Sequence, residues 1–206
     1  MIKPDKKANI LLAAETLFSE LGYEGTSTRQ IAKESGANMS MINYYFGSKE
    51  GVFLEIMNER IKDFNNQLIS INEEKIPHLE KLMQVIERYA KRILENISFY
   101  KMMHRELSLA QRPEMYCKVK DAISANLIVI EKIMMEGIDD GTFRSVDIRM
   151  LIATIMGTIS SVATTPSKIT ERSVLDISIP KDREILTQRL IIHLKDLVTT
   201  YLTPQK

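Results

Sequence analysis

Between Thr26 and Phe53 the chain reads TSTRQIAKESGANMSMINYYFGSKEGVF, and few folds accommodate that order of caps, apolar positions and turns. Ser27 is followed three residues later by Gln30, the capping-box arrangement that starts a helix. Ile31 and Ala32 give that helix a buried side, and Gly36 ends it. Asn38 then caps a second short helix, Met39 to Phe46, with Ile42 and Phe46 directed inward. Ser48 opens a third, helped by Glu50 in its first turn against the helix dipole. Two short amphipathic helices joined by a tight glycine turn are the grammar of a helix-turn-helix module.

A leading helix from about Asp5 to Leu21 precedes this stretch, with Ile10, Ala14, Leu17, Phe18 and Leu21 recurring at three- and four-residue spacing and Gly22 as its stop. Beyond residue 50 no segment alternates like a strand, and the spacing predicts helices near 48–72, 77–97, 98–110, 113–138, 147–164 and 181–202. Pro77, Pro113 and Pro180 stand at helix starts, where a missing N–H costs nothing. Glu136 to Thr142 closes one helix and turns into the next, and Thr165 to Ile179 reads as the most mobile loop. The fold class is all-α: a helix-turn-helix domain over residues 1–50, then a helical domain over 51–206, about nine helices in total.

Composition narrows the function classes. Apolar residues at 44% and charged residues at 27% are those of an ordinary globular protein. A lone cysteine, Cys117, makes no internal disulfide and fits a reducing, cytoplasmic location. Glu15 and Glu20 interrupt the amino-terminal apolar run, so it does not read as an export signal. Leu151 to Ala163, which holds Thr154, Thr158, Ser160 and Ser161, is too short and too polar for the roughly 20 residues that span a bilayer, so no membrane is expected. His78, His104 and His193 show no metal-ligand spacing, and no phosphate loop or nucleophile elbow occurs; neither an enzyme, a metal nor a cofactor is expected.

The net charge of +1 is modest for a nucleic-acid binder. Within residues 1–53, Lys3, Lys6, Lys7, Arg29, Lys33 and Lys49 are balanced by Asp5, Glu15, Glu20, Glu24, Glu34 and Glu50. Any footprint on DNA therefore comes from local placement. Helix starts expose backbone N–H groups that bind phosphate, and Thr26, Ser27, Thr28 and Ser48 add hydroxyls there. Lys49 adds a charge, and Arg29, Lys33 and the lysines at 3, 6 and 7 reach toward flanking phosphates. The helix 39–46 is uncharged and offers Met39, Ser40, Met41, Asn43 and Tyr44, where Asn pairs with adenine and apolar groups meet thymine methyls. On the residues alone, packing of Tyr44, Tyr45 and the methionines against neighbouring helices is the competing reading, and a protein-binding helical adaptor stays open beside a DNA-binding one.

The stretch from about Ile10 to Leu54 resembles the amino-terminal domain of TetR-family transcriptional regulators. The resemblance is carried by the Gly22-Tyr23 turn, Thr26-Ser27, Ile31-Ala32, Gly36, Tyr45-Phe46 and Ser48-Lys49-Glu50. It implies phosphate contacts from Thr26, from Tyr45 or Tyr44, and from Lys49, and base reading from Met39, Ser40, Met41, Asn43 and Tyr44. Asn43 stands where the family commonly has tyrosine, and Met39 where a basic residue is frequent, so base preference is this chain's own. Asn43 and Met41 point to A·T-containing half-sites.

After residue 60 the resemblance is architectural. It implies a ligand-responsive repressor that binds a palindromic operator as a homodimer and is released by an apolar or amphipathic small molecule. Among the twelve methionines, Met83, Met102, Met103 and Met134, with Tyr89, are candidates to line an adaptable pocket, or else they fill gaps in the core. His104, Arg105 and Glu106 either hold a polar ligand head or form a solvated face or an interhelical salt bridge. For the dimer interface the implied residues are Ile152, Met156 and Ile159 on one helix and Leu190, Leu194, Leu197 and Tyr201 on the last, the other reading being intramolecular core. Gly157, Ser160 and Ser161 are small enough to admit a close neighbour.

Overall fold

Side chains set the helix boundaries of the first fifty residues. The computed structural model describes residues 5–108, 113–171 and 175–204. Asp5 caps α1 (Lys6–Gly25) by accepting from the amides of Lys7 and Ala8 at 3.0 and 3.2 Å. Gly22 interrupts that helix at φ 76°, ψ 168°, a conformation essentially reserved for glycine, so the regular helix ends where the sequence places the stop. Ser27 and Gln30 close a complete capping box on α2 (Thr28–Glu34). Asn38 caps α3 (Met39–Phe46) by accepting from Met41 N at 2.9 Å. Ser48 accepts from Gly51 N at 3.0 Å at the head of α4 (Lys49–Glu73).

The later helices are α5 (His78–Glu95), α6 (Ile97–Ser108), α7 (Pro113–Asp139), α8 (Ile148–Thr164), the four-residue turn α9 (Ser167–Thr170) and α10 (Pro180–Leu202). The described residues are thus all-α, as expected, with no strand. The expected end of α6 near residue 110 lies outside the described residues. The segment Thr165 to Ile179, expected as the most mobile loop, contains the short α9. No helix among the described residues is long and apolar enough to cross a membrane.

Two compact units divide the chain. Unit 1 comprises the described residues within Met1–Phe64 and Ser98–Ser124, and unit 2 those within Asn65–Ile97 and Ala125–Lys206. Compactness therefore does not break at residue 50, and α4 and α7 each contribute to both units. In unit 1, Phe18, Tyr23 and Phe53 cluster with centroids 5.3 to 5.8 Å apart, Phe18 stacked on Tyr23 and Phe53 edge-on to both, in one core with Ile10, Ile31 and Ile42. That core also takes Phe99 and Met102 from α6 and Met115 and Val119 from α7. In unit 2, α5 packs against both α8 and α10. Its Leu82, Val85, Ile86 and Leu94 are buried, as are Leu151, Ile152, Ile155 and Ile159 of α8 and Leu186, Leu190, Ile191 and Leu194 of α10.

Candidate nucleic-acid interface and sensor residues

The outward side of α3 follows from its one buried anchor. Ile42 is fully buried, and four of the five expected base readers lie away from it: Met39, Ser40, Asn43 and Tyr44 are exposed, Tyr44 to 82%. Their spacing places them on a single helical face. Met41 differs, because it is half-buried and packs on the core of unit 1, which leaves it at the edge of that face. Tyr45 is 41% exposed with its ring 5.2 Å from Tyr44, so the two tyrosines form one aromatic corner at the end of α3. Ser48 is exposed and Thr28 half-buried at their helix starts.

Two expected phosphate ligands are turned inward. Thr26 is 1% exposed, and its hydroxyl donates to the carbonyls of Leu17 and Gly22 at 3.1 and 2.8 Å, while its amide donates to Tyr23 O at 3.3 Å. Both of its donors are consumed inside the head, which corrects the expectation of a phosphate contact from Thr26. The Lys49 ammonium donates to Tyr23 O at 2.9 Å and Thr26 O at 3.1 Å, and lies 4.3 Å from the centroid of the Tyr23 ring. Burial holds the Lys49 pKa below the usual lysine value, against the opposing field of Glu106. Lys6 donates to Gly36 O at 3.1 Å and Lys7 pairs with Glu55, so both are engaged within the head, and Lys3 lies outside the described residues. Arg29 and Lys33 are exposed on α2.

Residues proposed for the pocket fall into separate units. Met102 is 7% exposed within the core of unit 1, and Met103 packs against that core; for this pair the gap-filling reading replaces the pocket reading. Met83 and Tyr89 are half-buried on α5, and Met134 on α7 is 1% exposed, all in unit 2. Unit 2 has a cleft of about 210 Å³ between α5 and α10, lined by Lys91, Leu94, Glu95, Pro180, Arg183 and their neighbours, and none of the five candidates lines it. Glu106 is fully buried beside Arg105, whose guanidinium lies 3.3 Å from it, so this carboxylate belongs to unit 1 and not to a solvated face. Among the described residues no group of His, Cys, Asp and Glu is arranged to hold a metal.

The interface residues need a correction of face. Ile152, Ile159, Leu190 and Leu194 are at most 8% exposed and fill the core of unit 2, because α5 occupies that side of both helices. Met156 and Leu197 are half-buried and Tyr201 is 42% exposed. The exposed positions of α8 include Met150, Ala153, Thr154, Gly157 and Ser161, and those of α10 include Ile185, Ile192 and His193 among the polar Gln188, Arg189 and Asp196. A Cβ added at Gly157 would meet nothing within 4 Å. The spacing of small residues was visible in the sequence, but which side of an apolar helix its own core takes was not.

The comparisons with known proteins agree across both units. The family described as "Bacterial regulatory proteins, tetR family" matches residues 10–56, and "Tetracyclin repressor-like, C-terminal domain" matches residues 75–164. The chain is 27% identical over 164 residues to the fatty acid metabolism regulator protein of Bacillus subtilis, covering 79% of this chain and 84% of that protein. Its fold is similar to the transcriptional regulator FadR from Bacillus subtilis, solved in complex with stearoyl-CoA, with TM-score 0.73 and 24% identity over 91% of this chain and 96% of that one. It is similar also to the fatty acid degradation regulator FadR from Bacillus halodurans, with TM-score 0.74 and 23% identity over 95% and 97% of the two chains. A helix-turn-helix head with an exposed α3, followed by a matched sensor region, leaves one assignment: the chain belongs to the TetR family, as a ligand-responsive transcriptional repressor that binds operator DNA as a dimer.

Proposed function

We propose that this repressor reads its operator with Met39, Ser40, Asn43 and Tyr44, flanked by Met41, and answers to a long-chain acyl thioester. Residues 1–50 make up its DNA-binding domain and 51–206 its sensing and dimerisation domain. The observation that supports the DNA reading is the uncharged face of α3, exposed at all four positions while Ile42 anchors it. Phosphate contacts come from Thr28, Tyr45 and Ser48 with the adjacent helix-start amides. With so few positive charges free, affinity leans on having two heads on one palindrome, about one helical turn apart.

Dimerisation uses the open faces of α8 and α10: Met150, Ala153, Thr154, Gly157 and Ser161 on one, Ile185 and Ile192 on the other, with Met156, Leu197 and Tyr201 at the edges. Small residues on α8 let a two-fold mate approach closely, as an isologous interface requires. The effector class is suggested by the similarity to the fatty acid metabolism regulator, which extends over 84% of that protein, together with the fold shared with a FadR solved in complex with stearoyl-CoA. Met83, Tyr89 and Met134 are the remaining candidates to line its site. The protein acts in the cytoplasm, beside its operator.

Sequence-specific operator binding is tested by selecting bound duplexes from a random pool, then titrating the best with stearoyl-CoA, stearate and coenzyme A. Release by the thioester alone is the expected result. Release by none of the three would remove the effector assignment, and half-sites built only of G·C pairs at the α3 positions would remove the reading of Asn43.

A further inference from the structure

Lys49 begins α4, yet its ammonium is not held out toward solvent. It reaches back to the Tyr23–Thr26 turn, which carries the chain from α1 to the cap of α2, and donates to the carbonyls at both ends of that turn, 2.9 Å to Tyr23 O and 3.1 Å to Thr26 O. The Tyr23 ring lies beneath it at 4.3 Å, and the Glu24 carboxylate sits 3.9 Å away. Its side chain is 24% exposed. The same turn is held from inside by Thr26, whose hydroxyl binds Leu17 O and Gly22 O. Ser27, the next residue, is the N-cap of α2, and α2 packs on α3. Where this turn sits therefore fixes where α2 starts and how α3 is presented. Tyr23 O also accepts from the Thr26 amide at 3.3 Å, so the ammonium adds a charged donor to a turn that is already closed and ties it to the first turn of α4.

We infer that Lys49 is a positioning residue for operator binding: it clasps the Tyr23–Thr26 turn to the start of α4 and sets the presentation of α3, and it does not neutralise a phosphate. The inference rests on the operator-binding reading above and assigns Lys49 a different part in it. A lysine that neutralised phosphate would release counterions and steepen the salt dependence of binding; a clasp inside the head would not.

The test measures operator affinity against salt concentration for the full-length wild type and for Lys49→Met, Lys49→Gln and Lys49→Arg, with thermal unfolding of each. Lys49→Met should weaken binding by about tenfold or more, the scale of losing charge-assisted hydrogen bonds, with a salt slope equal to that of the wild type. Lys49→Arg, which keeps charged donors over the turn, should recover most of the affinity. If Lys49→Met does not fold, Lys49→Gln, which keeps an uncharged N–H donor, decides by the same slope. A slope shallower by about 0.9 for each head in either uncharged variant would overturn the inference, as would wild-type affinity in Lys49→Met. Absence of sequence-specific binding by the wild type would instead count against the operator reading itself.

Discussion

Helices α3 and α8 both carry apolar side chains into solvent, and they do so under opposite constraints. α3 has eight residues and a single fully buried anchor, Ile42, with Met41 and Phe46 packed beside it, so the face that carries Met39, Ser40, Asn43 and Tyr44 is free for the operator. α8 has seventeen residues and buries Leu151, Ile152, Ile155, Ile159, Val162 and Ala163 against its own unit, which leaves a narrow stripe of mostly small residues. A recognition helix is held by its ends, through Asn38 and the Gly47 turn, and offers its sides. A dimerisation helix is held by one side and offers the other. Substitutions at the ends of α3 should therefore cost most, and substitutions on an open face should be felt only by the partner that meets it.

The largest effect is expected at Gly51, where the first turn of α4 passes the end of α3. A Cβ there would stand 1.8 Å from the carbonyl oxygen of Phe46, and backbone cannot yield as a flexible side chain can. Gly51→Ala should cost roughly 3 kcal/mol or more and abolish specific operator binding, since the α3–α4 junction must open to fit one methyl group. Light scattering should still find a dimer, because no residue of α8 or α10 is touched. A stable, operator-binding Gly51→Ala protein would show that α3 is not held by its ends.

Next is Gly157, where the space beside the helix is open. Gly157→Arg should leave the thermal stability of the monomer within about 0.5 kcal/mol, as for an exposed surface change. In the dimer two such side chains meet across the two-fold axis, each costing about 1–3 kcal/mol of overpacking. The expected outcome is monomers at micromolar concentration by analytical ultracentrifugation, with operator binding lost for want of a second head. A Gly157→Arg dimer as tight as the wild type would place the interface elsewhere.

How much of this was legible follows the same division. Caps and glycine stops act within four residues of sequence, so Ser27, Asn38 and Ser48 marked the starts of α2, α3 and α4 to within a residue. Side-chain direction at the junctions was not legible. Thr26 reads as an exposed hydroxyl at a helix start, yet the Gly22 kink brings two carbonyls within its reach and draws it inward. Lys49 reads as a phosphate ligand until the Tyr23–Thr26 turn is seen beneath it. On α8 and α10, apolar residues occupy more than one face. Ile152 and Leu194 were indistinguishable from Met150 and Ile192 until the position of α5 was known. Met102 looked like pocket lining for a similar reason: nothing local says that α6 adds to the core of the head.

On α3 itself, Asn43 should be costly to the operator and cheap to the fold. Its side chain is exposed, so Asn43→Ala should leave the melting temperature unchanged. Affinity for the preferred operator should fall by about 1–3 kcal/mol with discrimination relaxed at roughly one base pair per half-site. Fluorescence anisotropy on operators substituted one pair at a time separates this from a uniform loss. Uniform weakening across all substitutions would mean that Asn43 contacts the backbone and reads no base.

The smallest effect tests what ties α5 to α10 in unit 2. Glu87 accepts from Lys195 at 2.6 Å and from Lys91 at 2.9 Å, and these hydrogen bonds, the Lys195 one foremost, hold its pKa at about 2, below the ordinary 4.5. A carboxyl with a depressed folded pKa contributes stability that is fully present above its unfolded value. That stability is lost as pH falls from about 4.5 toward 2, where the folded protein at last takes up the proton. The side chain is 37% exposed, so solvent screening cuts the contribution to no more than about 1 kcal/mol. Glu87→Gln should therefore lower stability slightly at neutral pH and remove this part of the acid dependence. Chemical denaturation at pH 7 and at pH 3 should show the gap between wild type and variant narrowing at the lower pH. An unchanged gap would mean that the charge of Glu87 adds nothing to the join between α5 and α10.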